Sequence, residues 1–163
     1  RTINKSMASC LDIFSEENTQ LIWQTGKIYT EQAIKEAEGK SHVKVMSFIA
    51  KMDLAYAAAD IIVSRAGAST ISELCLIGKP VILVPSPNVA EDHQTKNAMA
   101  LYNENAALMV ADKNAKEELP LKLKDLLKNK KRQQELGDNM IKLAKNQSAE
   151  KIADEVIKLA MHT

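Results

Sequence analysis

Short apolar runs alternate with longer amphipathic stretches along the chain. Five runs rich in aliphatic residues predict strands, at 21–23, 43–46, 61–63, 81–84 and 107–110. The remaining segments predict helices, at 2–17, 29–38, 54–59, 70–77, 93–103, 115–129, 130–145 and 148–161. Strands that are apolar throughout and alternate with helices are typical of α/β proteins. The pattern therefore predicts a Rossmann-like parallel sheet with helices on both faces.

The loops that follow the strands are where this fold class would place a ligand. In an open parallel sheet, ligands bind beyond the carboxyl ends of the strands. Four loops qualify, at 24–26, 47–49, 64–73 and 85–97. The helices near the C-terminus follow no such loop and are predicted to be scaffold.

The segment from Ser64 to Glu73 is the strongest candidate for an anion site. Small residues follow the predicted strand, and a helix is expected to start at Ser69 or Thr70. Small side chains admit a ligand close to the backbone, and the free N–H groups of a helix start suit a diphosphate. Glu73, on the same helix face as Thr70, could accept hydrogen bonds from a ribose diol. Alternatively, Thr70 and Glu73 form a capping box that needs no ligand.

Two further loops each allow two interpretations. The polar loop from Asn88 to Asn97 offers carboxylate, imidazole and amide groups for sugar hydroxyls, or else Asp92 is a helix N-cap and the next residues are merely solvated. The apolar loop at 48–52 could sandwich a base, or one of its side chains could plug the core.

Composition narrows the function classes. The chain has 163 residues, the length of one domain, with 22 Lys and Arg against 21 Asp and Glu and a net charge of +1. That balance and an aromatic content of 4% argue against a nucleic-acid-binding surface. Cys10 and Cys75 are predicted to be buried reduced thiols in a cytosolic protein. Metal-site spacings, a Walker loop, GxGxxG and GxSxG are missing from the sequence, so we expect no metal and no activated nucleophile.

Five motifs in this order resemble one family closely. They are Ile22-Trp23-Gln24-Thr25-Gly26, Phe48-Ile49-x-x-Met52, Ser64-Arg65-Ala66-Gly67-Ala68-x-Thr70-x-Ser72-Glu73, Gly78-x-Pro80 and Asp92-His93-Gln94-x-x-Asn97-Ala98. The set resembles the C-terminal half of the MurG family of bacterial N-acetylglucosaminyltransferases, glycosyltransferase family 28. The resemblance extends over essentially all 163 residues.

The resemblance implies one half of a GT-B glycosyltransferase, a fold of two Rossmann-like domains with the active site between them. Residues 1–163 would be the C-terminal donor domain, which binds UDP-N-acetylglucosamine (UDP-GlcNAc). The N-terminal acceptor domain, which holds lipid I, would be absent. Because the chain starts at Arg1, the domain's first strand and its Gly-rich phosphate loop are also expected to be missing.

Site residues follow from the resemblance position by position. Ile49 would face the uracil through its backbone, and Met52 would help close the base pocket. The diphosphate would meet Ala68, Ser69 and Thr70, and Glu73 would hold the ribose hydroxyls. Contacts to the GlcNAc hydroxyls would come from His93 and Gln94, with Asn97 nearby. Family members carry leucine in place of Ser69 and glutamine in place of His93.

The resemblance also implies a reaction. GlcNAc would pass with inversion from UDP-GlcNAc to lipid I and form lipid II for peptidoglycan, without a cofactor. Catalytic residues are expected in the other domain, so this fragment alone should be inactive. The full-length protein would lie on the cytoplasmic face of the membrane as a peripheral protein.

Three other interpretations remain open. The chain could be the separate donor subunit of a two-subunit GlcNAc transferase, paired with a membrane subunit. It could belong to the UDP-sugar 2-epimerase class, which shares the GT-B fold. It could also be a non-catalytic Rossmann-like module that binds a nucleotide through the helix start alone.

Overall fold

The structure is a computed structural model that describes residues 1–145 and 148–161. Its strands are β1 (Leu21–Gln24), β2 (Val43–Met46), β3 (Ile62–Ser64), β4 (Val81–Leu83) and β5 (Leu108–Met109). Its helices are α1 (Thr2–Ala8), α2 (Asp12–Glu16), α3 (Thr30–Glu36), α4 (Met52–Ala58), α5 (Ala68–Ile77), α6 (His93–Asn103), α7 (Ala115–Lys128), α8 (Lys130–Lys142) and α9 (Ser148–Met161). Short 3₁₀ turns lie at Lys27–Tyr29, Ala90–Asp92 and Asp112–Asn114.

All strand pairs are parallel, but the strands form two sheets. β1 pairs with β2, with Leu21 opposite Val43. The second sheet has the order β3-β4-β5, with Ile62 opposite Val81 and Ile82 opposite Leu108. The predicted parallel α/β fold is therefore confirmed. The expected single continuous sheet is replaced, in the part of the chain that is described, by a pair and a triplet.

β4 separates two hydrophobic clusters. Its residues alternate in direction, so Ile82 belongs to one cluster and Val81 and Leu83 belong to the other. The first cluster includes side chains from α1, α7 and β1, among them Trp23, and the second includes side chains from α5, α6 and α8. Helices therefore cover both faces of the sheet around β4, as the sequence pattern predicts.

Two predictions from the apolar pattern need correction. The helix expected over 2–17 is two helices, because the chain makes a tight turn after Ala8, where the Cys10 N–H bonds to the Met7 carbonyl at 3.1 Å. The strand at 21–23 is not buried throughout, since Ile22 is 45% exposed while Trp23 is 3% exposed. The reason is that only one face of β1 packs on the hydrophobic cluster.

α8 crosses close to the end of α5 at two glycines. Gly78 ends α5, as predicted, in a left-handed conformation with φ of 63°, and its N–H bonds to the Leu74 carbonyl at 3.1 Å. A Cβ atom on Gly137 in α8 would lie 2.6 Å from the Gly78 carbonyl oxygen. The contact therefore requires glycine on both sides.

Both cysteines are buried free thiols, as the sequence predicts. Cys10 and Cys75 are each 5% exposed. Burial raises the pKa of the Cys10 thiol to about 11, and it raises the pKa of Cys75 as well. No cluster of three or more metal-ligating side chains occurs among the residues described. Among the described helices, none has the length and apolar character needed to cross a membrane.

Candidate functional site

α5 begins with backbone groups that no side chain caps. Its N-cap is Gly67, in extended conformation, and within the described structure no side-chain hydrogen bond caps it. The first backbone bond of the helix runs from the Ile71 N–H to the Gly67 carbonyl at 2.9 Å, so the amides of residues 68–70 precede the helical ladder. Ala68 and Ser69 are exposed. The start of α5 is therefore open to an anionic ligand.

The capping-box alternative for Thr70 and Glu73 is wrong. The helix starts at Ala68, one residue before the earliest predicted start, so Thr70 is its third residue and not its cap. Glu73 bonds elsewhere, because the Tyr56 hydroxyl donates to its Oε2 at 3.4 Å. The physical reason is that the small residues at 66–68 let the chain turn into the helix without a capping side chain.

Tyr56 connects Glu73 to α4. Burial raises the pKa of the Tyr56 hydroxyl, and the nearby Glu73 carboxylate raises it further. The hydroxyl therefore stays protonated and donates to one carboxylate oxygen. Glu73 itself is exposed. Tyr56 was missed by the sequence interpretation, although it is the one hydroxyl-bearing residue of an alanine-rich helix.

Gln94 joins the two loops that follow β3 and β4. Its Oε1 accepts hydrogen bonds from the Ser86 N–H at 2.8 Å and from the Ala66 N–H at 3.4 Å. The partly buried side chain thus fixes the distance between these loops. The Nε2 group at the same end of the side chain is the part available to a ligand.

Asn97, one turn further along α6, also bonds to the loop after β3. Its Nδ2 donates to the Ala66 carbonyl at 3.0 Å. Both backbone polar groups of Ala66 are therefore held by side chains of α6. This geometry favours a positioning role for Asn97 and does not require contact with a sugar.

The turn before α6 has an unusual backbone. Glu91 and Asp92 have φ of 51° and 55°, a left-handed conformation that costs free energy in residues other than glycine. Asp92 stands at the N-cap, but in the described structure its side chain makes no capping bond, so the N-cap alternative is wrong for its carboxylate. His93 is exposed, with its Nε2 3.5 Å from Glu91 Oε2. Its recorded contact is thus within its own loop.

The loop after β2 is linked to β1 through Gln24. The Ile49 N–H donates to Gln24 Oε1 at 3.0 Å, which leaves the Ile49 carbonyl as the polar group for a base. Phe48 is 67% exposed, so it does not plug the core. Met52 starts α4 and is partly buried. Gln24 was not anticipated as a partner, although it stands at the end of a strand in the resembling motif.

The structure links several predicted residues to the loops and helices that carry the others. Gln94 and Asn97 bond to the loop that leads to Ala68, Ser69 and Thr70. Glu73 bonds to α4, the helix that Met52 begins. For Ile49 and His93, the recorded contacts are with residues outside the predicted set.

The sequence is similar to known bacterial proteins over almost its whole length. A profile of the glycosyltransferase family 28 C-terminal domain matches residues 1–156. Relatives from three bacteria are named UDP-N-acetylglucosamine--N-acetylmuramyl-(pentapeptide) pyrophosphoryl-undecaprenol N-acetylglucosamine transferase. The Parabacteroides distasonis relative is 51% identical over 162 residues, which are 98% of this chain and 44% of that protein. For Bacteroides fragilis the identity is 50%, over 100% of this chain and 44% of the relative. For Flavobacterium psychrophilum the identity is 47%, over 98% of this chain and 43% of the relative.

Two solved structures resemble this chain. The crystal structure of Acinetobacter baumannii MurG superposes with a TM-score of 0.79 at 26% identity, covering 94% of this chain and 46% of that one. A glycosyltransferase of kitacinnamycin, with a TM-score of 0.60 at 18% identity over 83% of this chain and 34% of that one, shares the fold. The chain thus spans less than half the length of these proteins. On the profile match and on about 50% identity over nearly its whole length, the chain belongs to glycosyltransferase family 28, as its C-terminal domain.

Proposed function

We propose that this chain is the UDP-GlcNAc-binding domain of an inverting N-acetylglucosaminyltransferase that converts lipid I to lipid II in peptidoglycan synthesis. The observation that supports it most is the uncapped start of α5 with Glu73 one turn further along the helix. Amides at a helix start suit a diphosphate, and a carboxylate suits a ribose diol, so the two features together match the two central parts of UDP.

The diphosphate would lie against the amides of Ala68, Ser69 and Thr70. The positive end of the α5 dipole would stabilise the charge that grows on UDP as it leaves. Glu73, held through one oxygen by Tyr56, would accept from the ribose hydroxyls with the other. The uracil would contact the Ile49 carbonyl, with Met52 closing the pocket.

The GlcNAc group would lie beside the loop after β4. Gln94 would donate through Nε2 to a sugar hydroxyl, since its Oε1 is engaged by the loop backbones. His93 is exposed and would contact the same sugar. Asn97 would hold the loop from behind.

The remaining parts of the reaction are proposed for residues outside this chain. We assign no catalytic residue here, and the site needs no cofactor or metal ion. An N-terminal domain would bind lipid I and supply the general base. The whole protein would be cytoplasmic and peripheral to the inner membrane. This domain alone would bind the donor without turning it over.

We also propose that a further strand belongs between the two sheets. β1 and β3 each have one strand partner in the described structure, yet side chains from both sheets share one hydrophobic cluster. A parallel strand between them would complete one sheet, and the turn after it would bring a second phosphate-binding loop to the same edge. Fusing the corresponding segment of the P. distasonis relative before Arg1 should raise both donor affinity and thermal stability.

Calorimetric titration of the chain with UDP-GlcNAc, UDP and UDP-galactose tests the proposal. We expect UDP-GlcNAc to bind, and Glu73→Ala to weaken binding by about 1–3 kcal/mol because the ribose diol would lose its charged acceptor. Glu117→Ala removes an exposed glutamate from α7 and should leave the affinity unchanged.

Three results would contradict the proposal in different ways. Equal affinity for UDP and UDP-GlcNAc would favour a nucleotide-binding module without a sugar site. Unchanged affinity in Glu73→Ala would remove Glu73 from the site. Failure to bind any of the three, even with the fused upstream segment, would reject the donor-domain proposal.

A further inference from the structure

Arg65 is the first residue after β3, and its side chain contacts two other segments at the same edge of the sheet. Its Nη1 donates to the carbonyl oxygens of Val84 at 2.9 Å and Pro85 at 3.2 Å, and to Asp112 Oδ1 at 2.6 Å. Asp112 Oδ2 in turn accepts from Thr2 Oγ1 at 3.0 Å. One guanidinium therefore joins the ends of β3 and β4 to the turn after β5 and to the start of α1.

The ion pair between Arg65 and Asp112 is largely withdrawn from water. The two side chains are 29% and 17% exposed. Charge-assisted hydrogen bonds in such a setting are stronger than those of an exposed surface pair, and removing one partner leaves the other charge poorly solvated. The contacts of Arg65 therefore resist local opening of these loops.

The same loops meet again on the side of α6. Ala66, directly after Arg65, bonds through its N–H to Gln94, and Ser86, directly after Pro85, bonds to the same Gln94 oxygen. Arg65 and Gln94 thus hold one pair of loops at neighbouring points. Two residues beyond Arg65, Gly67 leads into the start of α5.

We propose that Arg65 is a positioning residue of the donor site. It fixes the loop at 65–67 against the loop at 85–86 and so holds the α5 amides in the geometry that a diphosphate requires. The inference rests on the proposed function of this site. It assigns Arg65 no contact with the ligand.

A different explanation is that the positive charge of Arg65 simply attracts the diphosphate. Arg65→Lys separates the two explanations because it keeps the charge. The three contacts of Arg65 are all made by Nη1, and the lysine side chain ends one bond nearer its Cα, so we expect its ammonium to fall short of the two backbone carbonyls and Asp112. Asp112→Asn acts from the other partner, because it keeps the size and an acceptor oxygen but removes the charge.

The experiment measures UDP affinity by calorimetry and amide hydrogen exchange by NMR, on the 163-residue chain and three variants. Arg65→Lys should weaken UDP binding about tenfold, the scale of a lost charged hydrogen bond. Exchange at the Ala66 and Ser86 amides should become faster. Asp112→Asn should change both readouts in the same direction. Arg132→Lys is the matched control: Arg132 is 28% exposed and pairs with Glu135 at 2.8 Å on α8. It should leave both readouts unchanged.

Each outcome decides the inference. Wild-type affinity in Arg65→Lys, or unchanged exchange at Ala66 and Ser86, would overturn it. So would faster exchange that is spread evenly over the chain and matched by Arg132→Lys, since that indicates only lower global stability. If Arg65→Lys does not fold, Asp112→Asn provides the same test. If the chain does not bind UDP even with the fused upstream segment, the proposed function fails, and exchange at the two amides alone decides whether Arg65 positions the loops.

Discussion

At the scale of single residues, the two polar groups of the Gln94 amide have different roles. The oxygen accepts from the backbone amides of Ala66 and Ser86, and we propose that the nitrogen donates to the sugar. The sequence predicted Gln94 as a sugar contact from its motif. It could not predict the bond to Ala66, because a residue 28 positions away becomes a neighbour only when the sheet forms. The same holds for Tyr56 with Glu73 and for Arg65 with Asp112.

Gln94→Glu separates the two roles. A carboxylate keeps the acceptor for the two backbone amides but removes the NH₂ donor. We expect the free energy of unfolding to stay within about 0.5 kcal/mol of wild type, as for substitutions that keep the local contacts. The ratio of UDP-GlcNAc to UDP affinity should fall toward one. Chemical denaturation and calorimetry measure the two quantities.

Gln94→Leu is the comparison variant, since it removes donor and acceptor together. It should lower both stability and sugar discrimination, because the two loop amides would lose their partner. If Gln94→Glu retained full preference for UDP-GlcNAc, the proposed contact between Nε2 and the sugar would be wrong.

At the scale of elements, the sequence predicted the type of most helices and strands but not all of their boundaries. α6 has the predicted bounds, and Gly78 ends α5 as expected. Both boundaries depend on local sequence: a left-handed glycine ends α5, and a polar segment precedes α6. The division of 2–17 into two helices was not predicted, because Met7, Leu11 and Phe14 are all buried, as the apolar positions of one continuous helix would also be.

Gly137→Ala tests the close crossing of α8 and α5. Alanine in place of glycine inside a helix normally stabilises by up to about 1 kcal/mol. Here the added Cβ would lie 2.6 Å from the Gly78 carbonyl oxygen, so the backbone must shift. We expect a net destabilisation of about 1–3 kcal/mol, as for overpacking in a core, measured by urea denaturation.

Gly67→Ala is the control for this substitution. An added Cβ there would meet Thr70 Oγ1 at 3.7 Å, an ordinary contact, so only the lower N-cap preference of alanine, on the order of 0.5–1 kcal/mol, should reduce the free energy of unfolding. A Gly137→Ala protein as stable as wild type would mean that α8 can move away from α5 without cost.

At the scale of the whole molecule, the parallel α/β architecture follows from the sequence, while the division into two sheets does not. The apolar runs predict strands but contain no information about which strands are neighbours. Ile22 illustrates the limit, because its apolar side chain is 45% exposed beside the buried Trp23. The residues assigned to the candidate site come from motifs and remain a prediction, while the hydrogen bonds that connect them to neighbouring loops were not predicted.

Cys10, which lies in the larger hydrophobic cluster, makes the free energy of unfolding depend on pH in the alkaline range. Burial raises the thiol pKa from 9.0 to about 11 in the folded chain, and the thiol donates to the Met7 carbonyl at 3.3 Å. The unfolded chain therefore releases this proton first as pH rises. The contribution of Cys10 is fully present below about pH 9 and is lost as pH passes about 11.

Cys10→Ala isolates this effect from other groups that titrate at high pH. We expect wild type to be the more stable protein at neutral pH, since alanine leaves a small cavity. The difference in free energy of unfolding should narrow between about pH 9 and 11. Urea denaturation at several pH values measures this difference. A difference that stays constant with pH would contradict the raised pKa of Cys10.

The position of β4 between two clusters also bears on how strand register is specified. Val81, Ile82, Leu83 and Val84 are all fully buried, so polarity does not distinguish the two faces of this strand. A slip of one residue would exchange its side chains between the clusters without exposing any of them. A slip in one of the two directions would, however, bring Pro85 opposite the Ser64 carbonyl, which now accepts from the Val84 N–H at 2.9 Å. Proline has no N–H to donate, so Pro85, two residues after β4, disfavours the shift in that direction.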